Sequence, residues 1–237
     1  MDIEEEGLGP KLAWTPARTP RHEMLIGRYA RLEPIDASRH ATDLFELAHG
    51  TQGDPAIWVY MGYGPFADFA TFQAWLIERA ASSDPLFYAV IDSASGRAAG
   101  MASFLRMVPA DGVIETGHIW FTPVLQDTRQ ATEAIFLMAR YAFDTLGNRR
   151  FEWKCNARNA PSRRAADRFG FTFEGIFRQH MIVKGRNRDT AWYAMIDRDW
   201  PAIKAAFEAW LDPANFDSGG REKKKLNAEA VAGAQPF

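Results

Sequence analysis

The sequence predicts an α/β fold of the α+β type, in which a mixed but mostly antiparallel central sheet of about six to seven strands is flanked by helices. The main observation is the order of the hydrophobic patterns: strand, two helices, three strands, helix, strand, helix, two strands and a last helix. Short turns separate the three consecutive strands, which is typical of an antiparallel meander. Apolar residues make up 47% of the 237 residues, so the chain can bury one large core.

The first third of the chain predicts one strand and two helices. Residues 29–35 alternate as a strand does, and Asp36 or Ser38 can cap the helix that follows and ends before Gly50. A second helix is expected over residues 68–81, because its aromatic and aliphatic side chains recur at helical spacing.

The remaining elements follow from alternation, turn residues and caps. Strands are expected over residues 86–92, 97–107, 113–121, 149–156, 171–183 and 190–196, with a tight polar turn over 184–189. A long helix follows residue 128, and a short helix opens at Asn159 and closes at Gly170. Asp197 or Asp199 starts a last helix that runs to about Trp210.

These elements predict one folded domain over residues 23–212. Residues 1–22 carry four acidic side chains and three prolines without a sustained period, which indicates a loose leader along the surface. Residues 213–237 lose the apolar period and contain the charged run Arg221–Lys225, which predicts a solvated polar tail.

Composition argues against several classes of protein. The net charge is −2, so no overall field would attract nucleic acid or an acidic membrane. The single cysteine, Cys155, excludes an intrachain disulfide and a multi-cysteine metal site, and the five scattered histidines give no metal-ligand spacing. No apolar run approaches the ~18 residues of a membrane span. The acidic start MDIEEE is unlike a signal peptide, so a cytoplasmic location is expected.

The segment Val113–Arg140 is the part of the chain that points most clearly to a ligand. A strand leads through a short polar loop into the start of a long helix, where the first N–H groups have no partner within the helix and can bind an anion such as phosphate. The loop residues are Gln126, Asp127, Thr128, Arg129, Gln130 and Ala131. Asp127 or Thr128 can cap the helix, so an ordinary capped core helix is the alternative interpretation.

The segment 54–66 is rich in large rings and broken by glycine and proline. Trp58, Tyr60 and Tyr63 are candidates for a wall that contacts a substrate, because exposed aromatic side chains on a loop often bind ligands. The alternative is that these rings cover the core.

Three motifs, in order, resemble the GNAT superfamily of acetyl-coenzyme A dependent N-acetyltransferases. VIETGHIWFTPVLQ followed by DTRQATEA resembles the central strand and pyrophosphate loop of that superfamily. CNARNAPSRRAADRFGF and FEGIFRQHMIVKGRNRDTAWYAM resemble the Asn-x-x-Ser helix and the closing hairpin of the branch that includes the ribosomal-protein N-terminal acetyltransferases. Together the motifs cover about residues 28–200.

The resemblance implies a site for acetyl-coenzyme A as co-substrate, without a metal. The N–H groups of about Gln126 to Ala131 would hold the pyrophosphate, and the backbone of Ile119, Trp120 and Phe121 would pair with the pantetheine arm like an added strand. Asn159 would contact the same arm. Arg129 stands where the family usually has glycine, so it is expected to be helical, with its guanidinium available to a phosphate.

Acetyl transfer also needs a base for the amine and a proton donor for the leaving thiol. Glu115 is the first candidate base, since strand alternation places it on one face with Gly117 and Ile119. His118, expected on the opposite face, is the second candidate. Ser162 resembles the proton donor of the branch. Each has a structural alternative: a solvated or Arg-paired Glu115, a structural His118 and a Ser162 that only supports the helix start.

Cys155 shares a strand face with Phe151 and Trp153, which predicts a buried and inert thiol. Direct transfer in a ternary complex is therefore expected, from the coenzyme A thioester to a primary amine of a peptide, protein or small molecule. The alternative function is a non-catalytic module that binds an acyl-coenzyme A or a partner protein. The sequence leaves a monomer and a homodimer equally open.

Overall fold

The computed structural model describes residues 11–231 and contains one eight-stranded sheet in the order β1-β2-β3-β4-β5-β6-β8-β7. The strands are β1 (Leu25–Ile26), β2 (Ala30–Pro34), β3 (Leu86–Asp92), β4 (Ala98–Val108), β5 (Val113–Phe121), β6 (Arg150–Asn156), β7 (Thr172–Val183) and β8 (Arg186–Ile196). All neighbours are antiparallel except β5 and β6, which run parallel. The mixed, mostly antiparallel sheet is confirmed, with the two-residue β1 raising the strand count above the expected six to seven.

Six α-helices accompany the sheet within the described residues. They are α1 (Ala37–His49), α2 (Phe69–Ala80), α3 (Arg129–Arg140), α4 (Ala160–Arg168), α5 (Trp200–Leu211) and the short α6 (Ala228–Val231). The side chains of Asp36, Asp68, Thr128 and Asn159 accept backbone N–H groups at the starts of α1 to α4. These caps satisfy donors that a helix start leaves unpaired. No helix of the described residues is long and apolar enough to cross a bilayer.

The sheet separates two apolar cores. One face packs against α3 and α5, and the other packs against α1 and α2 over β3, β4 and part of β5. We call these the α3 face and the α1 face. Glu133 of α3 ties the helix to the edge of the sheet, because its buried carboxylate accepts the N–H groups of Arg28, Tyr29 and Ala30. The helix that carries the polar loop is therefore held rigidly against β2.

The closing hairpin is longer than the sequence predicts. A turn over 184–189 followed by a strand from residue 190 was the expectation, but β8 begins at Arg186 and pairs with Val183 of β7. The polar residues 186–189 are compatible with a strand here because β7 is an exposed edge strand and one face of the hairpin meets solvent. This extension brings Arg188 into the sheet.

Both ends of the described chain pack on the domain. In the segment 11–22, Trp14 donates to the carbonyl of Ala110 at 2.7 Å and Arg18 N–H donates to the carbonyl of Leu146 at 2.8 Å. The first ten residues of the expected leader lie outside the described residues. Most residues from 213 to Val231, including the charged run 221–225, are exposed, but Phe216, Leu226 and Ala228 are buried in the α3-face core, so this part of the expected tail also packs on the domain.

Candidate active site

The two parallel strands of the sheet, β5 and β6, pair along only part of their length. β5 and β6 pair only from Val113 with Arg150 to Thr116 with Trp153, so the rest of β5 has no partner on that edge. A cleft of about 190 Å³ lies at this split and is lined from β5, β6, α4, the closing hairpin and the segment 54–66. The unpaired edge of β5 includes Ile119, Trp120 and Phe121, where the sequence predicts that a cofactor arm adds to the sheet.

A bulge in β5 changes which side chains meet in the cleft. The register with β4 shifts between Met101 and Ser103, and His118 has a φ of +50°. Strict alternation predicts Glu115 and His118 on opposite faces. Thr116 meets Met138 on the α3 face, whereas the His118 ring lies 5.1 Å from Phe87 on the α1 face. The prediction is wrong for this pair, because the extra residue of the bulge turns His118 to the same side as Glu115.

The start of α3 presents unpaired N–H groups. Thr128 is the cap and accepts the N–H of Ala131 at 3.2 Å, while Gln126 N–H donates to the carbonyl of Thr122 at 3.1 Å. Between them, the N–H groups of residues 127–130 are taken by no acceptor of the described chain. Asp127 has a φ of +57°, a conformation that an aspartate tolerates better than most residues. Such a turn before a helix start suits an anion.

Three side chains of this loop contact neighbouring parts of the protein. Arg129 is the first residue of α3, as expected, but its guanidinium stacks on the rings of Tyr29 at 4.3 Å and Phe216 at 5.2 Å. Gln130 donates to Asp92 at 3.1 Å, and Gln126 donates to the carbonyl of Phe121 at 2.8 Å. The loop therefore offers its backbone N–H groups, while the side chains of Gln126, Arg129 and Gln130 contact the surrounding protein.

Asn159 and Ser162 lie on the α3-face side of the cleft. Asn159 caps α4 by accepting the N–H of Ser162 at 3.2 Å. The Ser162 hydroxyl oxygen accepts the indole N–H of Trp153 at 3.1 Å, so the hydroxyl can still donate its own proton, and the Cys155 sulfur beside it is one available acceptor. Asn159 therefore caps α4, and both Asn159 and Ser162 line the cleft.

Glu115 is buried in a cluster of charges on the α1 face. Its carboxylate accepts from Lys154 at 2.8 Å and lies 3.6 Å from Arg106. Lys154 also bonds Glu152 and sits 3.9 Å above the Trp192 ring. Burial raises the pKa of Glu115 although Lys154 opposes this. A carboxylate with a raised pKa is a stronger base than an exposed one, which suits proton abstraction near neutral pH.

His118 is a weaker base. Its Nδ1 lies 3.3 Å from the hydroxyl of Tyr63, and the two rings stack at 5.7 Å. Burial, together with the charges of Arg79, Arg188 and Arg106, lowers the pKa of His118 to about 4. The imidazole is therefore neutral at neutral pH and is suited to contact or orient a ligand rather than to retain a proton.

The three aromatic candidates have different positions. Trp58 is buried in the α1-face core against the Trp120 ring at 5.0 Å, so its predicted role as a substrate wall is wrong. Tyr60 lines the cleft and donates to the carbonyl of Arg158 at 3.0 Å. Tyr63 is half-buried and does not line the cleft itself, but its hydroxyl contacts His118, which does.

Several cleft residues carried no signal in the sequence. Arg106, Lys154, His180 and Arg188 are separated by up to 82 positions in the chain yet line the same cleft. Each lies on an ordinary strand with neighbouring charges, so neither motif nor spacing marks it. Only the pairing of β4, β6, β7 and β8 brings them together.

Cys155 also lines the cleft but is buried, and burial raises the pKa of its thiol. The thiol is therefore mostly protonated at neutral pH and is a poor nucleophile. No group of three potential metal ligands occurs within residues 11–231.

The chain is similar to several known proteins. Residues 30–172 match the family model described as an acetyltransferase (GNAT) domain. A Bacillus subtilis (strain 168) protein, YdaF, whose name assigns it provisionally to the ribosomal N-acetyltransferases, is 28% identical over 109 residues. That match spans 46% of this chain and 59% of YdaF.

Solved structures extend the similarity over the whole domain. A GCN5-related N-acetyltransferase from Brucella melitensis is 51% identical with a TM-score of 0.88, covering 91% of this chain and 97% of that one. A GNAT-family protein from Chromobacterium violaceum ATCC 12472 is 45% identical with a TM-score of 0.76, covering 82% and 96%. The two parallel strands β5 and β6 that pair over only part of their length agree with the family match over residues 30–172. This chain belongs to the GNAT acetyltransferase family.

Proposed function

We propose that the protein is an acetyl-coenzyme A dependent N-acetyltransferase that acetylates a primary amine by direct attack in a ternary complex. The observation that carries the proposal is the cleft itself, which joins a set of free backbone N–H groups, an unpaired strand edge and a buried carboxylate. A non-catalytic binding module would not need a buried carboxylate held against two cations in the same cleft.

The donor side fits a nucleotide thioester. The N–H groups of residues 127–130 would hold the pyrophosphate, and the free edge of β5 from Ile119 to Phe121 would pair with the amides of the pantetheine arm. Asn159 and Ser162 would lie beside the far end of that arm. When bound, acetyl-coenzyme A would supply an activated acyl group on sulfur.

The acceptor side lies on the α1 face with Glu115 and His118. Transfer forms a bond from the amine nitrogen to the acyl carbon and breaks the carbon–sulfur bond. Glu115, directly or through a water, takes the proton that the amine loses. The hydroxyl of Ser162 donates to the sulfur as negative charge develops there, and solvent returns the proton. Lys154 and Arg106 hold the Glu115 carboxylate in place.

The acceptor is proposed to be a small amine or the end of a short peptide. Lys184 at the tip of the closing hairpin donates to the carbonyls of Trp58 at 2.9 Å and Gly64 at 2.7 Å. On the other side, Tyr60 donates to the carbonyl of Arg158. These bonds bridge the space between segment 54–66 and its neighbours, and a bridged pocket suits a chain end better than an internal lysine on an extended chain.

Thiol release from acetyl-coenzyme A in the presence of an amine panel tests the proposal. The panel contains short peptides with free α-amines, small primary amines and a lysine side-chain amine on a blocked peptide. We expect amine-dependent thiol release with the first two classes. Tight binding of coenzyme A without turnover of any amine would instead identify a binding module.

A further inference from the structure

The closing hairpin contains an irregularity that shapes the cleft. β7 has three residues, 178–180, opposite the single residue Asp189 of β8, and the N–H of Gln179 donates to the Asp189 carboxylate at 2.7 Å. The displaced segment places His180 next to Thr190, whose hydroxyl lies 3.0 Å from the imidazole Nδ1. Arg188 contacts the same hydroxyl at 3.2 Å. Arg188, His180 and Thr190 therefore form one patch of the cleft wall.

This patch lies on the same face as the candidate base. Arg188, Thr190 and Trp192 are alternate residues of β8, and the Trp192 ring lies beneath Lys154, which bonds Glu115. Ser162 belongs to the opposite side of the split, with α4. Arg188 is thus on the acceptor side rather than the donor side.

Arg188 forms no ion pair within the part of the chain that the structure describes. It is half-buried, and its one side-chain partner in the described chain is the neutral hydroxyl of Thr190. The nearby carboxylate of Glu115 is already shared by Lys154 and Arg106. Burial lowers the pKa of Arg188; the nearby Cys155 and Glu115 oppose this shift and Arg106 adds to it. A half-buried guanidinium in a cleft, with no carboxylate partner, is suited to pair with an anionic ligand.

We propose that the acceptor is an amine that also carries an anionic oxygen group, a carboxylate or a phosphate, and that Arg188 binds this group. The inference rests on the proposed acetyl transfer and defines its substrate class. The cleft is short and bridged by Lys184 and Tyr60, so the anion and the amine belong to one small molecule or one short peptide. Arg188 then acts as a specificity residue, because an acceptor without the anion leaves its guanidinium unpaired.

Two matched acceptor pairs test this inference by their kcat/KM for thiol release. A dipeptide is compared with its C-terminal amide, and ethanolamine phosphate is compared with ethanolamine. Both are measured for the unmodified protein, for Arg188→Gln and for Arg188→Lys. Arg186→Gln is the matched control, because Arg186 is exposed on the same strand and lies outside the cleft.

The unmodified protein is expected to prefer the anionic member of at least one pair by about 10- to 100-fold, the value of a charge-assisted hydrogen bond. Arg188→Gln loses that preference mainly through KM, Arg188→Lys restores part of it, and Arg186→Gln keeps it. The pair that shows the preference identifies the anion as carboxylate or phosphate. Coenzyme A affinity, measured by calorimetry, stays unchanged in all variants.

Equal rates within both pairs for the unmodified protein overturn the inference, and so does a preference that survives Arg188→Gln. A loss of coenzyme A affinity in Arg188→Gln would place the residue on the donor side and also overturn it. Failure of the proposed function has a different signature, since no amine of either charge would then release thiol. Thermal unfolding confirms that each variant is folded before its kinetics are interpreted.

Discussion

Replacing Glu115 by glutamine tests the proposed base. The carboxylate is buried, is held by Lys154 at 2.8 Å and lies 3.6 Å from Arg106, so Glu115→Gln keeps the shape of the side chain while removing its ability to take a proton. General base catalysis typically contributes about 10²- to 10⁴-fold. An α-amine with a pKa near ~8 is partly uncharged at neutral pH and needs the base less than a lysine amine near ~10.4. We therefore expect a loss of kcat of about 10²-fold for a peptide α-amine and more for a lysine-like amine.

The pH dependence gives a second readout of the same variant. Burial raises the pKa of Glu115, so the base is lost as the pH falls through a value above the usual carboxyl range. The acidic limb of kcat/KM should therefore lie higher than for an exposed glutamate and should disappear in Glu115→Gln. His118 adds no limb near neutral pH, because its pKa is lowered to about 4.

Glu152→Gln is the matched control. Glu152 also bonds Lys154 and is also buried, but it does not line the cleft. Both variants remove one carboxylate from Lys154, and only Glu115→Gln removes the base. A rate for Glu115→Gln equal to that of Glu152→Gln, with an unchanged acidic limb, would refute the role of Glu115.

Three further predictions concern Ser162, Cys155 and Trp58. Ser162→Ala is expected to lower kcat by about 10²-fold in steady-state assays, whereas Trp153→Phe, which removes the indole donor and shortens the ring, keeps the hydroxyl and most of the rate. Equal losses would show that the hydroxyl only supports packing. Cys155→Ala should keep its activity and show no acetylated enzyme by mass spectrometry, because the thiol is buried with a raised pKa; a covalent adduct on the native protein would contradict direct transfer. Trp58→Ala should lower the free energy of unfolding by about 3–5 kcal/mol in denaturant titrations, as expected for a buried aromatic ring, and a value near zero would contradict its place in the core.

The sequence was most informative where structure is local. Asp36, Asp68 and Asn159 were each expected near a helix start, because a short polar side chain precedes a helical period, and each caps its helix. The antiparallel meander of β3, β4 and β5 was predicted for the same reason, because its turns contain few residues and apolar and polar residues alternate along its strands. The parallel contact of β5 with β6, which creates the cleft, was not predicted, because no residue pattern marks it.

Three features of the site could not be read from the sequence. The bulge at His118 depends on how β5 pairs with β4, and histidine does not mark a positive φ as glycine would. A loop tryptophan such as Trp58 is expected to be exposed, but the rings of Trp120 from β5 and of Phe66 from the same segment pack against it. The partners of Arg129 came from Tyr29 and from Phe216 in the expected tail, which no local pattern connects.

The central claim is that backbone N–H groups at the start of α3 hold the pyrophosphate of coenzyme A. Arg129→Pro and Arg129→Ala test it as a pair, because both remove the stacked guanidinium and only proline removes the N–H. Proline is well tolerated at the first position of a helix, and Thr128 before it is already extended, with φ −101° and ψ 163°.

The decisive measurement is the calorimetric Kd of coenzyme A for these two variants, with thermal unfolding to confirm equal stability. We predict that Arg129→Pro binds coenzyme A about 10-fold more weakly than Arg129→Ala, the value of one hydrogen bond to a charged group. Equal affinities for the two variants, or no binding by the unmodified protein, would contradict the claim.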